Sequence, residues 1–274
     1  MLALTTFCSM ILPATAHSWV EQLMRIDASG AMTGNPGYVR GAVSRLSSTF
    51  TDLDIQHLLP PNGRTPAPVL LASDPMCRSS QTTRNYSTEL PPLTASAGDY
   101  IALRYQENGH VTLPENTPSK NSSGYVYIYG TSEPRGDDRL GDIHGQWDEF
   151  GSGGDQRGRL LARRPFDDGR CYQINTGSIS QNRQSIYKKT ALNPQGADLW
   201  CQSDVKLPSA IDGSSYTLYW VWDWPSSPTE EFSSGKPEVY TSCMDVDLMP
   251  RSQAENIVFT SQDLNVAGIR DQLA

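Results

Sequence analysis

The sequence predicts an all-β sandwich with long loops, and three observations carry that prediction. Short runs rich in β-branched and aromatic residues recur along the 274-residue chain, separated by clusters of Gly, Pro, Asn and Asp. No internal repeat and no long amphipathic helix interrupts them. The 22 glycines and 19 prolines supply the turn chemistry that such a fold needs.

The elements follow in order. Residues 1–16 read as a signal peptide, with an apolar stretch over 2–12 and the small-residue cleavage signature Ala14-Thr15-Ala16. A stretch this short cannot span a bilayer, so the chain is expected to be secreted, with His17 as its new first residue. Residues 17–250 form the expected sandwich domain, and 251–274 a C-terminal tail without predicted structure. The first strand covers 18–26, and a loop-rich excursion follows over 28–68, with Gly34-Asn35-Pro36-Gly37 as its sharpest turn signal. Ala97-Gly98-Asp99 turns the chain into a strand at 100–105, which Gln106-Glu107-Asn108-Gly109 closes just before His110. Another strand is expected at 125–129. Gly, Asp and Arg dominate 131–200, which predicts long loops with one or two short strands near Cys171. At 216–224, Trp220, Trp222 and Trp224 alternate with Tyr219, Val221 and Asp223, the pattern of a central strand buried on both sides. The last strand runs over 239–248.

Composition narrows the function. The formal charge of −8 gives a nucleic-acid role no electrostatic support, and points toward neutral or basic partners such as glycans. Nothing after residue 17 is apolar for long enough to cross a membrane. Cys8 leaves with the signal peptide, so Cys77, Cys171, Cys201 and Cys243 are expected to form two disulfides, for which three pairings are open. Asn85-Tyr86-Ser87 and Asn121-Ser122-Ser123 are glycosylation acceptor sequences in polar, turn-rich surroundings.

The chemistry gathers at a terminal histidine. Once freed, the α-amino group and imidazole Nδ1 of His17 belong to one residue and can chelate one metal ion; a second imidazole would complete three nitrogens, a set that suits Cu(II). His110, just past a strand end, is the second imidazole. On the last strand Glu238 and Tyr240 share one face, while Cys243 lies an odd number of positions away and points into the core. A phenol at Tyr240 would act as a weak axial neighbour of the copper. Asp142 with His144 in a Gly/Asp loop makes a poor metal site and is read as solvated; His57, before Leu58-Leu59-Pro60-Pro61, is read as structural. The four histidines give no basis for a zinc hydrolase, and no Gly-x-Ser-x-Gly elbow is present.

These stretches resemble the secreted fungal lytic polysaccharide monooxygenases. The resemblance lies in His17-Ser18-Trp19, in Asp74-Pro75-Met76-Cys77, in Ala97-Gly98-Asp99 through Gly109-His110, and in Tyr216 to Trp224. It lies also in the segment from Pro237-Glu238-Val239-Tyr240 to Cys243-Met244-Asp245-Val246. It implies an immunoglobulin-like or fibronectin-like β-sandwich carrying a histidine brace on one face: the His17 amine, the His17 imidazole and the His110 imidazole, with Tyr240 axial. It implies that Cys77 pairs with Cys243 and Cys171 with Cys201. Glu238 falls where many relatives have a glutamine that hydrogen-bonds the oxygen species on copper; a carboxylate there donates only when protonated. No histidine lies between Tyr216 and Trp224, where cellulose-active relatives often have one. The implied reaction is reduction of one copper ion by an external electron donor, reaction with oxygen or hydrogen peroxide, and abstraction of hydrogen from a sugar carbon beside the glycosidic oxygen of a polysaccharide such as cellulose, chitin or another cell-wall glycan. Tyr38 and Trp147 are the candidate sugar-stacking aromatics. The mature protein is expected to be an extracellular monomer without nucleic-acid or membrane partners.

Two other readings compete. A non-catalytic copper-binding protein of the same fold, used in copper capture, tends to offer an aspartate near the metal in place of the tyrosine; Glu238-Val239-Tyr240 favours the enzyme. A metal-free structural sandwich is the third.

Overall fold

The computed structural model describes residues 17–27, 31–189 and 196–250. The expected signal peptide (1–16) and tail (251–274) lie outside them. The chain runs through β1 (Val20–Ile26), β2 (Met32–Gly37), β3 (Leu58–Leu59), β4 (Leu93–Ala95), β5 (Tyr100–Tyr105), β6 (Tyr125–Thr131) and the single turn α1 (Leu140–Ile143). There follow β7 (Gly158–Pro165), α2 (Ser178–Ile186), β8 (Cys201–Lys206), β9 (Ser215–Asp223) and β10 (Val239–Leu248). They build an all-β sandwich. One sheet has the order β2-β1-β5-β8; the other has the order β3-β10-β9-β6-β7, with β4 pairing parallel to β10.

Side-chain parity explains the layering. Trp220 and Trp222 of β9, Tyr240 and Met244 of β10, and Val126 and Ile128 of β6 point inward and meet Val20, Leu23, Ile101, Leu103 and Val205 of the opposite sheet. The alternate residues Tyr129, Tyr219, Val221, Val239 and Cys243 point outward into a second apolar cluster, closed by Leu140, Ile143 and Trp147 from the segment around α1. β9 is therefore buried on both faces, with neighbours on both edges. The Cys77–Cys243 bond belongs to the outer cluster, not to the core between the sheets. Cys171 and Cys201 form the second disulfide.

Four expectations need correction, the first being Cys243, which points away from the core between the sheets and into the outer cluster. Gly34-Asn35-Pro36-Gly37 lies inside β2, where Gly34 takes φ +72°. Leu23 and Arg25 of β1 face Gly37 and Thr33, so the extra residues bulge out of the ladder, and an edge strand tolerates a proline there. In the stretch 131–200, where one or two short strands are expected near Cys171, β7 is a strand of eight residues, and the helix α2 is not expected at all. Trp147 is 2% exposed and its Nε1 donates to Asp155 at 2.9 Å, so it pins its own loop and offers no face to a sugar.

Candidate metal centre

The turn after β5 presents His110. Asn108 and Gly109 both take positive φ (+48° and +79°), which reverses the chain tightly, and the His110 amide donates to the Glu107 carbonyl at 2.8 Å. The Glu107 carboxylate is buried inside this turn. It accepts from the amides of Val111 (2.8 Å), Thr112 (3.2 Å) and Gln173 (2.7 Å) and from the Thr112 hydroxyl. One carboxylate thus ties together four donors, and the turn has little freedom left.

Two bonds fasten the His17 end to that turn: Asn108 Nδ2 donates to the His17 carbonyl and Ser18 Oγ to the Gln106 carbonyl, each at 2.8 Å. The result is a convergence of nitrogens. The backbone N of His17 lies 3.2 Å from His110 Nε2, and the two imidazoles meet edge to face with centroids 6.1 Å apart. His110 is 6% exposed, walled by Trp224 (5.1 Å) and Trp222 (5.8 Å). Burial, and then the nearby charge of His17, pull its pKa down to about 3, so the ring is neutral at physiological pH and keeps a lone pair for a ligand. His17 Nε2 lies 2.8 Å from a carboxylate oxygen of Asp52, so Nδ1 is the ring nitrogen that could join the backbone N of the same residue in a chelate. These donors fit a cation that prefers nitrogen in a plane.

Tyr240 stands behind this wall, stacked on Trp222 at 5.0 Å, and its hydroxyl donates to Glu238 Oε1 at 2.8 Å. Burial, then the Glu238 charge, push its phenol far above the ordinary range, so it stays protonated. The other oxygen of Glu238 takes the Lys120 ammonium at 2.6 Å, and Lys120 also lies 4.1 Å from the centre of the Trp224 ring. Glu238 is thus bound between a lysine and a phenol, a partnership the sequence does not reveal. Lys120, Trp224, Glu238 and Tyr240 line a cleft of about 690 Å³ with Pro60 and Pro61.

The other predicted residues scatter. Tyr38 is half-buried, its amide donating to the Pro91 carbonyl at 2.9 Å. Asn85 and Asn121 are exposed, and Asn121 Oδ1 accepts from Ser227 Oγ at 2.6 Å. His144 is not solvated: Nδ1 meets the Tyr129 hydroxyl at 3.0 Å and Nε2 faces Asp223 at 3.5 Å, while Asp142 lines a different cleft. His57 Nδ1 meets Thr241 Oγ1 at 2.8 Å on β10, and burial pulls its pKa down to about 4. Asp168, Cys171 and Cys201 cluster as a metal site would, but both sulfurs are spent in the disulfide. Among the described residues no helix is long and apolar enough to cross a membrane.

A family model described as a domain of unknown function, DUF7492, matches residues 14–270. No curated protein matches the chain. Among solved structures, a cellulose-active polysaccharide monooxygenase from M. thermophila is similar at 16% identity, over 88% of this chain and 85% of its own, with a TM-score of 0.37. HiLPMO9B is similar at 14% identity over 90% and 84%, with a TM-score of 0.35. At those scores the likeness carries no argument about chemistry, which rests on the residues themselves.

Proposed function

We propose that this chain, which belongs to the DUF7492 family, is a secreted protein that is cut before His17 and holds one copper ion between the freed His17 amine, His17 Nδ1 and His110 Nε2. The observation that carries the reading is the 3.2 Å approach of the buried, neutral His110 Nε2 to the backbone N of His17, 93 residues away in sequence. Bound there, copper would supply one-electron redox chemistry for oxidising a polysaccharide, with electrons from an external donor.

The chain's own residues have separate tasks. Glu107 fixes the turn that aims His110. Trp222 and Trp224 keep water from the back of the His110 ring. Tyr240 would offer the metal a phenol that stays protonated, and Glu238 holds that phenol by its hydroxyl. We assign the polysaccharide to the cleft beside Tyr240; Tyr38, which does not line that cleft, stays a separate aromatic candidate, and Asn85 and Asn121 are the proposed glycan carriers.

The test is electron paramagnetic resonance of the cleaved protein with one equivalent of Cu(II), beside His110→Ala and a form with one extra residue before His17. An axial signal with nitrogen couplings that both changes abolish supports the site; no copper binding, or identical spectra, ends the assignment.

Two observations favour a second reading, a non-catalytic copper carrier. Asp52 supplies the aspartate beside the terminal histidine that such proteins tend to have, and Lys120 occupies Glu238. Ascorbate-driven peroxide and oxidised sugars released from a glycan mark the enzyme; a loaded protein that makes neither is the carrier.

A further inference from the structure

The segment between β2 and β3 comes back across the sequence to touch the terminal histidine. It does so on a built platform. Trp19 packs on Phe50 with centroids 6.4 Å apart, and the Arg45 guanidinium lies 4.8 Å from the Trp19 ring and 5.1 Å from the Phe50 ring while pairing with Glu21 on β1. The 3-10 turn Asp52–Asp54 that follows is closed by Asp54, whose carboxylate accepts from the Thr51 amide at 2.7 Å. Gln56 donates back to the Asp52 carbonyl at 2.8 Å, Arg78 holds the Leu53 carbonyl at 2.6 Å, and Ile55 is buried in the main core. The Asp52 side chain is thereby held with Oδ2 2.8 Å from His17 Nε2.

We infer that Asp52 is the positioning residue of the terminal histidine: its carboxylate accepts the Nε2–H, holds the ring in the tautomer that carries its lone pair on Nδ1, and fixes the ring plane against rotation. This rests on the proposed copper site. Ligating histidines donate their second ring N–H to a carboxylate or carbonyl, and loss of such a partner lowers metal affinity 10- to 100-fold. The tautomer follows from hydrogen-bond chemistry: a neutral imidazole carries one proton, and an acceptor placed at Nε2 keeps it there. The contact also leaves no room for a substituent larger than hydrogen on Nε2, since 2.8 Å is a donor–acceptor distance.

The experiment has two readouts on the cleaved protein. In the metal-free form, nitrogen-15 spectra of the histidine rings should show His17 as the Nε2–H tautomer, and Asp52→Ala should shift it toward a mixture. With Cu(II), calorimetry should give a 10- to 100-fold weaker affinity for Asp52→Ala and a smaller loss for Asp52→Asn, whose amide oxygen still accepts, with the nitrogen couplings kept in both. A wild-type protein that binds copper while Asp52→Ala matches it within twofold, with the same tautomer, overturns the inference and leaves the copper site standing. An Asp52→Asn spectrum that has lost an oxygen ligand overturns it too, because Asp52 would then bind the metal itself. A wild-type protein that binds no copper removes the site, and the metal-free tautomer still decides whether Asp52 sets the ring.

Discussion

The two histidines of the candidate site are held by opposite means. His110 is 6% exposed, lodged against two tryptophans of β9 and its following residue, on a turn stitched by a buried carboxylate. The His17 side chain is 26% exposed and leans on Asp52, whose side chain is 41% exposed. A core fixes one ligand and a surface segment trims the other. Stability and metal affinity should therefore separate: changes behind His110 unfold the protein, and changes beside His17 leave the fold and alter only the site.

The comparison breaks first, if it breaks, at Trp222. Its ring stacks on Phe166 at 3.9 Å, on Trp224 at 4.8 Å and on Tyr240 at 5.0 Å, so Trp222→Ala should lower unfolding free energy by about 3–5 kcal/mol in urea titrations. A loss under about 1 kcal/mol would mean the wall is not a core. Glu107→Ala comes next, at about 2–3 kcal/mol, because three amides lose a buried acceptor.

The buried side should also carry acid sensitivity. His57 is uncharged in the fold because burial depresses its pKa from 6.5 to about 4, so the unfolded chain binds its proton first. The stability linked to this ring is complete above pH 6.5 and is lost as pH falls toward about 4; His57→Asn should flatten the profile over that window in chemical denaturation. Asn108→Ala should cost about 1–2 kcal/mol, since alanine tolerates φ +48° less well, and a glycine there should restore the fold but not the bond to the His17 carbonyl. Smallest of all, Asp52→Ala should move stability by less than about 1 kcal/mol, as expected of an exposed pair.

What the sequence disclosed follows the same division. β5, β9 and β10 were legible because burial on both faces selects near-continuous runs of apolar and aromatic residues, as from Tyr216 to Trp224. β7 was not. It is an edge strand in which Arg159 and Arg163 are exposed and only Ala162 is buried, so its apolar stretch, Leu160 to Ala162, is too short to show a strand pattern. β2 was hidden by Gly34 and Pro36, which an edge with a bulge accommodates. His17 and His110 could be named from chain position and residue type. Asp52 and Lys120 could not, because each meets its partner across a loop whose path no local pattern records. Glu238 could be assigned to the right face, yet its lysine partner comes from 118 residues away.

The short approach between the His17 backbone nitrogen and His110 bears on timing. While a residue precedes His17, that nitrogen is a peptide amide whose lone pair is committed to resonance; only scission of the Ala16–His17 bond turns it into an amine able to bind a metal. Under the proposed function the third nitrogen donor exists only once the signal peptide has been cut, so the uncut chain holds both imidazoles and lacks the amine, and the choice of scission bond is itself part of the metal site.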